Sequence, residues 1–345
     1  MQRKQLTPTE VKEIKQQSWR IIVGGILLNL IVGSFYSFGA YSIYLASYLK
    51  TQTPNLTLDG IAIVFPLMNI LMNCTPIYGL MYTLPFLSTW RYFPTKLQKV
   101  NAVLQTGFGL GGAIFGYFAF EIVNYDNQAA KYIVEENGVD RFYFEECISF
   151  NVPTMLKTFS ISIAILGALT LILLWKPSNE NLDHYRDLMI RIDNKKKSDK
   201  EKEMMPTSEC LNLKQGLLSK NFQLLFIMAF ASTMFGFFIM TQYKNYGILL
   251  QYDDQTLTYI GFLAFTLFGC TRDLWTKLIT NQGFKKSFIY LQSSILVLMI
   301  LYMKYCDNLL IYGLTVVIII FLQGGLFTWF SSFTPKVFGY NPRWE

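Results

Sequence analysis

Apolar and polar residues are sorted along this chain into long blocks. Apolar runs cover 21–48, 60–87, 100–123, 152–175, 221–243, 256–280, 287–304 and 308–330. Most are longer than a soluble core helix needs and match the roughly 20 residues that cross a hydrocarbon layer about 30 Å thick. The pattern predicts an all-α integral membrane protein, a helical bundle of about eight spans. The polar blocks divide it into a tail (1–20), a membrane half (21–175), a linker (176–220) and a second half with a short tail (221–345).

Within the tail, TEVKEIKQQSW reads as a short surface helix begun by Pro8 and Thr9. The first span carries Gly24, Gly25, Gly33 and Gly39 beside Asn29, Ser34, Tyr36 and Ser37. Small residues permit close helix contact, and the polar ones need partners inside a bundle. The 60–87 run is expected to be one continuous helix kinked by Pro66, Pro76 and Pro85. GFGLGGAIFG in the third span looks like a phosphate loop but sits inside an apolar helix and lacks the following Lys-Ser/Thr. Gly107, Gly111, Gly112 and Gly116 are therefore assigned to helix packing. Residues 124–151 read as an acidic loop.

Composition agrees with the pattern: of 345 residues, 52% are hydrophobic and only 15% charged. A formal net charge of +7 suggests loops beside anionic lipid rather than nucleic acid. With the N-terminus inside and each run crossing once, inner segments hold 22 Lys and Arg and outer segments 5, namely Lys50, Lys131, Arg141, Lys244 and Lys304. The positive-inside rule then places both termini and the linker in the cytoplasm of a multi-pass protein of the plasma membrane or an endomembrane. The acceptor pattern Asn55-Leu56-Thr57 lies in a loop too short to expect a glycan.

Candidate chemistry is sparse. The five cysteines are scattered without a CxxC, and His184 lies in a charged loop. No metal site, cofactor or disulfide framework is expected. Paired acids at catalytic spacing are missing, so the chain does not read as an enzyme. One charge stands out: Arg272, near the middle of YIGFLAFTLFGCTRDLWTKLITNQGFKK, roughly 22 Å along its helix. A guanidinium at that depth costs on the order of 3 kcal/mol unless it faces a bundle interior or a water-filled cavity. Gly261, Phe265, Gly269, Arg272 and Thr276 share its face. Two readings stand open: a buried anion-binding cation, or a side chain snorkelling to the membrane edge.

Several stretches resemble the major facilitator superfamily, in its oxalate/formate antiporter and monocarboxylate-transporter-like branch. GSFYSFGAYSIYLASYL is similar to that branch's opening helix, YGLMYTLPFLSTWRYFPTK to the end of its fourth helix, and VLQTGFGLGGAIFGYF to its fifth. FGFFIMTQYKNYG, LTYIGFLAFTLFGCTRDLW and QGFKKSF resemble its seventh and eighth helices and the following loop, and GGLFTWFSSFTPKVFG the end of its tenth. The resemblance implies a transporter of small organic anions working by alternating access. Arg272 would pair with a substrate carboxylate, with Tyr36, Tyr82, Trp329, Asn69 and Gln105 as further lining candidates. For the aromatic and polar candidates, plain packing is the competing role. There are departures. The family's third helix and its neighbouring loop have no counterpart, Thr276 and Thr280 stand where a loop signature has Gly and Asp, and the last two helices are missing. Only Asp273 and Glu121 offer embedded acids for proton coupling, both toward helix ends. The second expectation is therefore a transport-inactive paralogue or membrane scaffold. Another membrane protein would then cover faces left open, and Asn73, Thr75 and Gln323 would lack partners.

Overall fold

The computed structural model describes residues 7–74, 76–175, 182, 185, 188–190 and 218–338, leaving aside the side chains of 8, 69, 72–83, 332 and 334–338. The described elements are almost all helical: α1 (Pro8–Gly33), a 3-10 turn (Ser34–Ser37), α2 (Phe38–Gln52), α3 (Leu58–Ala62), α4 (Val64–Cys74), α5 (Pro76–Tyr92), α6 (Leu97–Val123), α7 (Glu146–Ser149) and α8 (Val152–Leu174). After the linker come α9 (Lys220–Leu249), α10 (Asp254–Cys270), α11 (Arg272–Gln282), α12 (Phe284–Tyr305) and α13 (Leu309–Phe338). Six helical runs are long and apolar enough to cross a membrane: Thr9–Gln52, Leu97–Val123, Glu146–Leu174, Lys220–Leu249, Phe284–Tyr305 and Leu309–Ser331. The protein is thus an all-α, membrane-embedded chain.

The runs expected over 60–87 and 256–280 are segmented instead. The first breaks at Ile63. Pro66 has no N–H to give the carbonyl of Ala62, and its ring crowds that carbonyl, so the ladder restarts at Leu67 N–H to Ile63 O, 3.1 Å. The expected kink is therefore an interruption of the helix at Ile63, whose own backbone stays right-handed helical (φ −68°, ψ −19°). The second breaks at Thr271 (φ −94°, ψ 8°). There the Thr271 hydroxyl donates to Leu267 O at 2.6 Å and Arg272 Nε to Phe268 O at 3.1 Å. Side chains that bond the carbonyl four residues back compete with the backbone ladder and bend it. Thr276 and Thr280 do the same within α11, where they are helical rather than part of a loop.

Two further expectations need correction. The tail helix does not stop at the membrane edge. Thr7 caps it, Glu10 completes the capping box, and Pro8 takes the first turn; no Gly or Pro intervenes before Gly24, so α1 runs on to Gly33. The acidic loop contains a hairpin, β1 (Tyr132–Glu136) paired antiparallel with β2 (Val139–Tyr143). Asn137 (φ 54°) and Gly138 (φ 79°) form its turn, both in the left-handed region that a type I′ turn requires.

The 97–123 helix is the centre of the bundle, and its glycines explain why. A Cβ on Gly111 would stand 2.7 Å from the Gly33 carbonyl carbon, and one on Gly107 3.0 Å from Leu30 N, so this face lies backbone-close on α1. On the other side a Cβ on Gly269 of α10 would meet Thr106 O at 2.7 Å and Gly109 Cα at 3.0 Å. One helix therefore carries glycine faces toward both parts of the chain, as the small-residue spacing predicts. Loop ends 53–57, 124–145, 250–253 and 306–308 gather at one end of the bundle with the hairpin. Asn124 Nδ2 bonds Asp254 Oδ2 at 2.7 Å, Asn127 Nδ2 bonds Asp253 Oδ1 at 2.6 Å, and Tyr252 OH bonds Cys306 O at 2.6 Å. At the other end Ile14, Tyr92, Leu182 and Tyr185 pack together.

Polar residues of the first span find partners inside. Asn29 is fully buried and donates to Leu104 O at 2.8 Å. Gln323, expected without a partner, donates to Thr233 O at 3.2 Å across the notch left by Gly236. The side chains of Asn73 and Thr75, and His184 with most of the linker, lie outside the described residues.

Candidate functional site

Arg272 is the first residue of α11 and is 2% exposed. The break at Thr271 turns its guanidinium back onto the end of α10 and across to α6 and α13. Nη1 lies 3.3 Å from Gln105 Oε1 and 3.1 Å from Gly324 O, while Nε bonds Phe268 O at 3.1 Å. The guanidinium also covers the Phe268 ring at 4.4 Å and faces that of Phe327 at 5.5 Å. Gln105 is 5% exposed. It sits one turn before Gly109, whose backbone contact with Gly269 sets the spacing of α6 and α10, and Gly269 lies one turn before Arg272. The two sequence candidates thus meet because glycines let their helices touch. A buried guanidinium among carbonyl, amide and ring acceptors offers a planar fork to a carboxylate and retains partial compensation without one.

The remaining candidates are placed differently. Tyr36 lies in the 3-10 turn, half-buried, with its ring 5.8 Å from Phe268 and stacked 6.3 Å from Phe237. It is one aromatic ring removed from the guanidinium. Trp329 is 3% exposed in a separate cluster with Trp275, Ile279 and Leu326. Its Nε1 donates to Phe284 O at 2.8 Å, and its ring packs on Phe288 and Phe333, so it fastens the turn between α11 and α12. Asn69 lies on α4 and Tyr82 on α5, with side chains outside the described residues. Asp273 pairs with Lys277 at 2.7 Å on an exposed helix face, and Glu121 is exposed.

Sequence reasoning missed two buried ionic clusters at the hairpin end. Lys244, an outer cation by its place after the 221–243 run, lies inside α9, which continues to Leu249, and is fully buried. Its Nζ is 2.8 Å from Asp254 Oδ1 and donates to Tyr44 OH at 2.9 Å and Thr258 Oγ1 at 3.0 Å. The pairing with Oδ1 is a contact of charges without hydrogen-bond alignment; Asp254 Oδ2 takes the aligned bonds, from Tyr44 OH at 2.5 Å and Asn124 Nδ2 at 2.7 Å. The second cluster joins Lys50 of α2 to Glu136 of β1 as a buried ion pair. Tyr143 OH and the Leu58 amide also bond Glu136, at 2.6 Å and 3.1 Å. Burial alone would raise the Glu136 carboxyl, but the bonds from Lys50, Tyr143 and Leu58 outweigh it and hold the group below the usual carboxylate range. Burial pushes the Tyr143 phenol up, and the Glu136 bond adds to it, so Tyr143 stays a donor. Two signals were available: Lys244 directly follows the apolar run 221–243, and Asn137-Gly138 between alternating residues marks a hairpin.

Beside Asp254 a cleft of about 480 Å³ opens at the same end, lined by Lys131, Ile133 and Phe142 from one side and Ile248, Tyr252 and Asp253 from the other. Among the described residues no group of three or more His, Cys, Asp or Glu could hold a metal ion. No protein-family model matches the chain, and no relative is found among curated proteins.

Proposed function

We propose that the chain is a transporter of small organic anions, monocarboxylate- or dicarboxylate-like, that crosses the bilayer about eight times and works by alternating access. The six long helices supply six crossings, and the segmented runs 58–92 and 254–282 supply two more. The observation carrying this reading is Arg272. A guanidinium 2% exposed within apolar helices is retained at substantial cost. It also lies at the seam where α6 of the N-terminal segment meets α10, α11 and α13 of the C-terminal segment. A carboxylate would displace weak neutral acceptors such as Gln105 for a bidentate pair. Gln105 would then position the anion, and Tyr36 with Phe268 and Phe237 would wall its apolar part.

The test is uptake of labelled mono- and dicarboxylates into vesicles holding the wild type, Arg272→Lys or Arg272→Ala. Wild type transports saturably. Arg272→Lys keeps the charge but loses the planar fork, so apparent affinity falls by tenfold or more. Arg272→Ala is inactive. Equal uptake by wild type and Arg272→Ala overturns the assignment of the arginine.

The second reading, a transport-inactive membrane scaffold, is favoured by α8. Only 6% of the apolar window in Glu146–Leu174 is buried, which leaves Ile161, Ile165, Leu169 and Ile172 facing outward. Absence of any carboxylate uptake, together with a gently solubilised particle heavier than one chain, would support that reading over transport.

A further inference from the structure

We propose that the Asp254 carboxylate is the catch of a latch that shuts the hairpin end between the N-terminal and C-terminal segments. Lys244, Asp254 and Thr258 belong to α9 and α10, so their ion pair and bonds are internal to the C-terminal segment. The bonds that cross are Tyr44 OH to Asp254 Oδ2, Asn124 Nδ2 to Asp254 Oδ2, and Lys244 Nζ to Tyr44 OH. One carboxylate oxygen therefore holds both donors of the opposite segment. Around it run Ser42 Oγ to Asn245 Oδ1 at 3.0 Å, Asn127 Nδ2 to Asp253 Oδ1 at 2.6 Å and Gln255 N to Asn127 Oδ1 at 2.9 Å.

This division suits a reversible closure. Parting the segments leaves the charge pair Lys244–Asp254 intact and, on the N-terminal side, releases only neutral groups: Tyr44 and Asn124 at the carboxylate, Ser42 and Asn127 around it. No charge is stranded, which is the outcome that makes breaking a buried ion pair so unfavourable. Water has a place from which to take over the freed groups, because the 480 Å³ cleft reaches Asp254 from the hairpin side. The groups facing the carboxylate are Lys244, Tyr44 and Asn124, with Thr258 on the Asp254 backbone carbonyl, Tyr243 nearby, and Lys131, Tyr252 and Asp253 along the cleft. The latch stands whether or not an organic anion is what the protein carries.

The test uses the full chain in membranes, with native cysteines replaced and a reporter Met240→Cys. Met240 is 1% exposed, on the stretch of α9 whose backbone lies against Gly39. A membrane-impermeant thiol reagent is applied from the hairpin side to this protein and to the same protein with Tyr44→Phe and Asn124→Ala. Tyr44→Phe keeps the ring beneath Lys244, now 4.4 Å from its Nζ. Loss of the three crossing bonds should speed labelling about tenfold or more, with cooperative melting retained. Equal labelling rates overturn the latch. Faster labelling that appears only with loss of cooperative melting also overturns it, since the cluster would then be a static staple. A second arm, independent of those variants, joins Ser42→Cys to Asn245→Cys by oxidation. The disulfide should stop uptake, and reductant should restore it; undiminished uptake in the oxidised form overturns the latch. Absence of uptake in wild type overturns the transport reading instead, and the labelling arm still judges the latch.

Discussion

At the scale of single residues, buried charges are handled in two ways here. Lys50 and Lys244 each meet a carboxylate, and Arg272 meets the Phe268 and Gly324 carbonyls, the Gln105 amide and the Phe268 ring among its partners. A buried ion pair fixes structure, and a guanidinium spreads five donors over several acceptors. Glu136 gives a prediction with a definite sign. Its carboxyl titrates lower in the folded protein than in the unfolded chain, so its contribution is complete above the ordinary carboxylate value of about 4.3 and fades as pH falls toward the lowered one. Amide protection of residues 132–143, corrected for intrinsic exchange, should be level from pH 8 to 6 and fall in acid. Glu136→Gln should remove that dependence and weaken the hairpin's attachment by on the order of 3 kcal/mol at neutral pH. Unchanged protection in the variant would show that the hairpin is held by its apolar contacts alone.

At the scale of elements, what the sequence made legible depended on whether a local rule decided the outcome. Small-residue spacing assigned GFGLGGAIFG to packing, and Gly107 and Gly111 do lie against α1. Gly111→Leu should force α1 and α6 apart and cost about 2–3 kcal/mol, read as a lower melting temperature in mild detergent; an unaltered melt would mean that the helices are not in register there. The continuous helix over 60–87 failed at Ile63, because a proline's effect lands on the carbonyl four residues earlier and its size depends on what can cap the gap. The helix over 256–280 failed at Thr271 because two side chains bond backward into the ladder, and nothing in hydrophobic periodicity registers that. Arg272 and Gln105 were both legible as buried polar residues, one as a charge in an apolar run and one as an amide in another. Their meeting was not, since it rests on the Gly109–Gly269 crossing 160 residues apart in sequence. Lys244 and Asp254 were overlooked because each stands near the end of an apolar run, where a charge ordinarily reaches water.

At the scale of the whole molecule, the hairpin end and the linker end should lie on opposite sides of the membrane, with the linker inside, given the 22-to-5 division of Lys and Arg. Burial of Lys244 removes one cation from the outer tally and sharpens the asymmetry. Single cysteines at Asn137, exposed at the hairpin turn, and at Ser198 in the linker should react with an impermeant thiol reagent from outside and from inside respectively. Labelling of Ser198→Cys from outside would reverse the orientation. The contact of Gly109 with Gly269 bears on how such a molecule could move. Two surfaces that meet through side chains must unlock their rotamers before they can turn on one another. Where bare backbone rests on bare backbone there are no knobs to lift from holes, so one part can roll against the other as on a smooth bearing. That bearing lies one turn from the guanidinium, so a tilt wide enough to part Tyr44 from Asp254 would displace Arg272 least of all, keeping the cation nearly stationary while the walls around it swing.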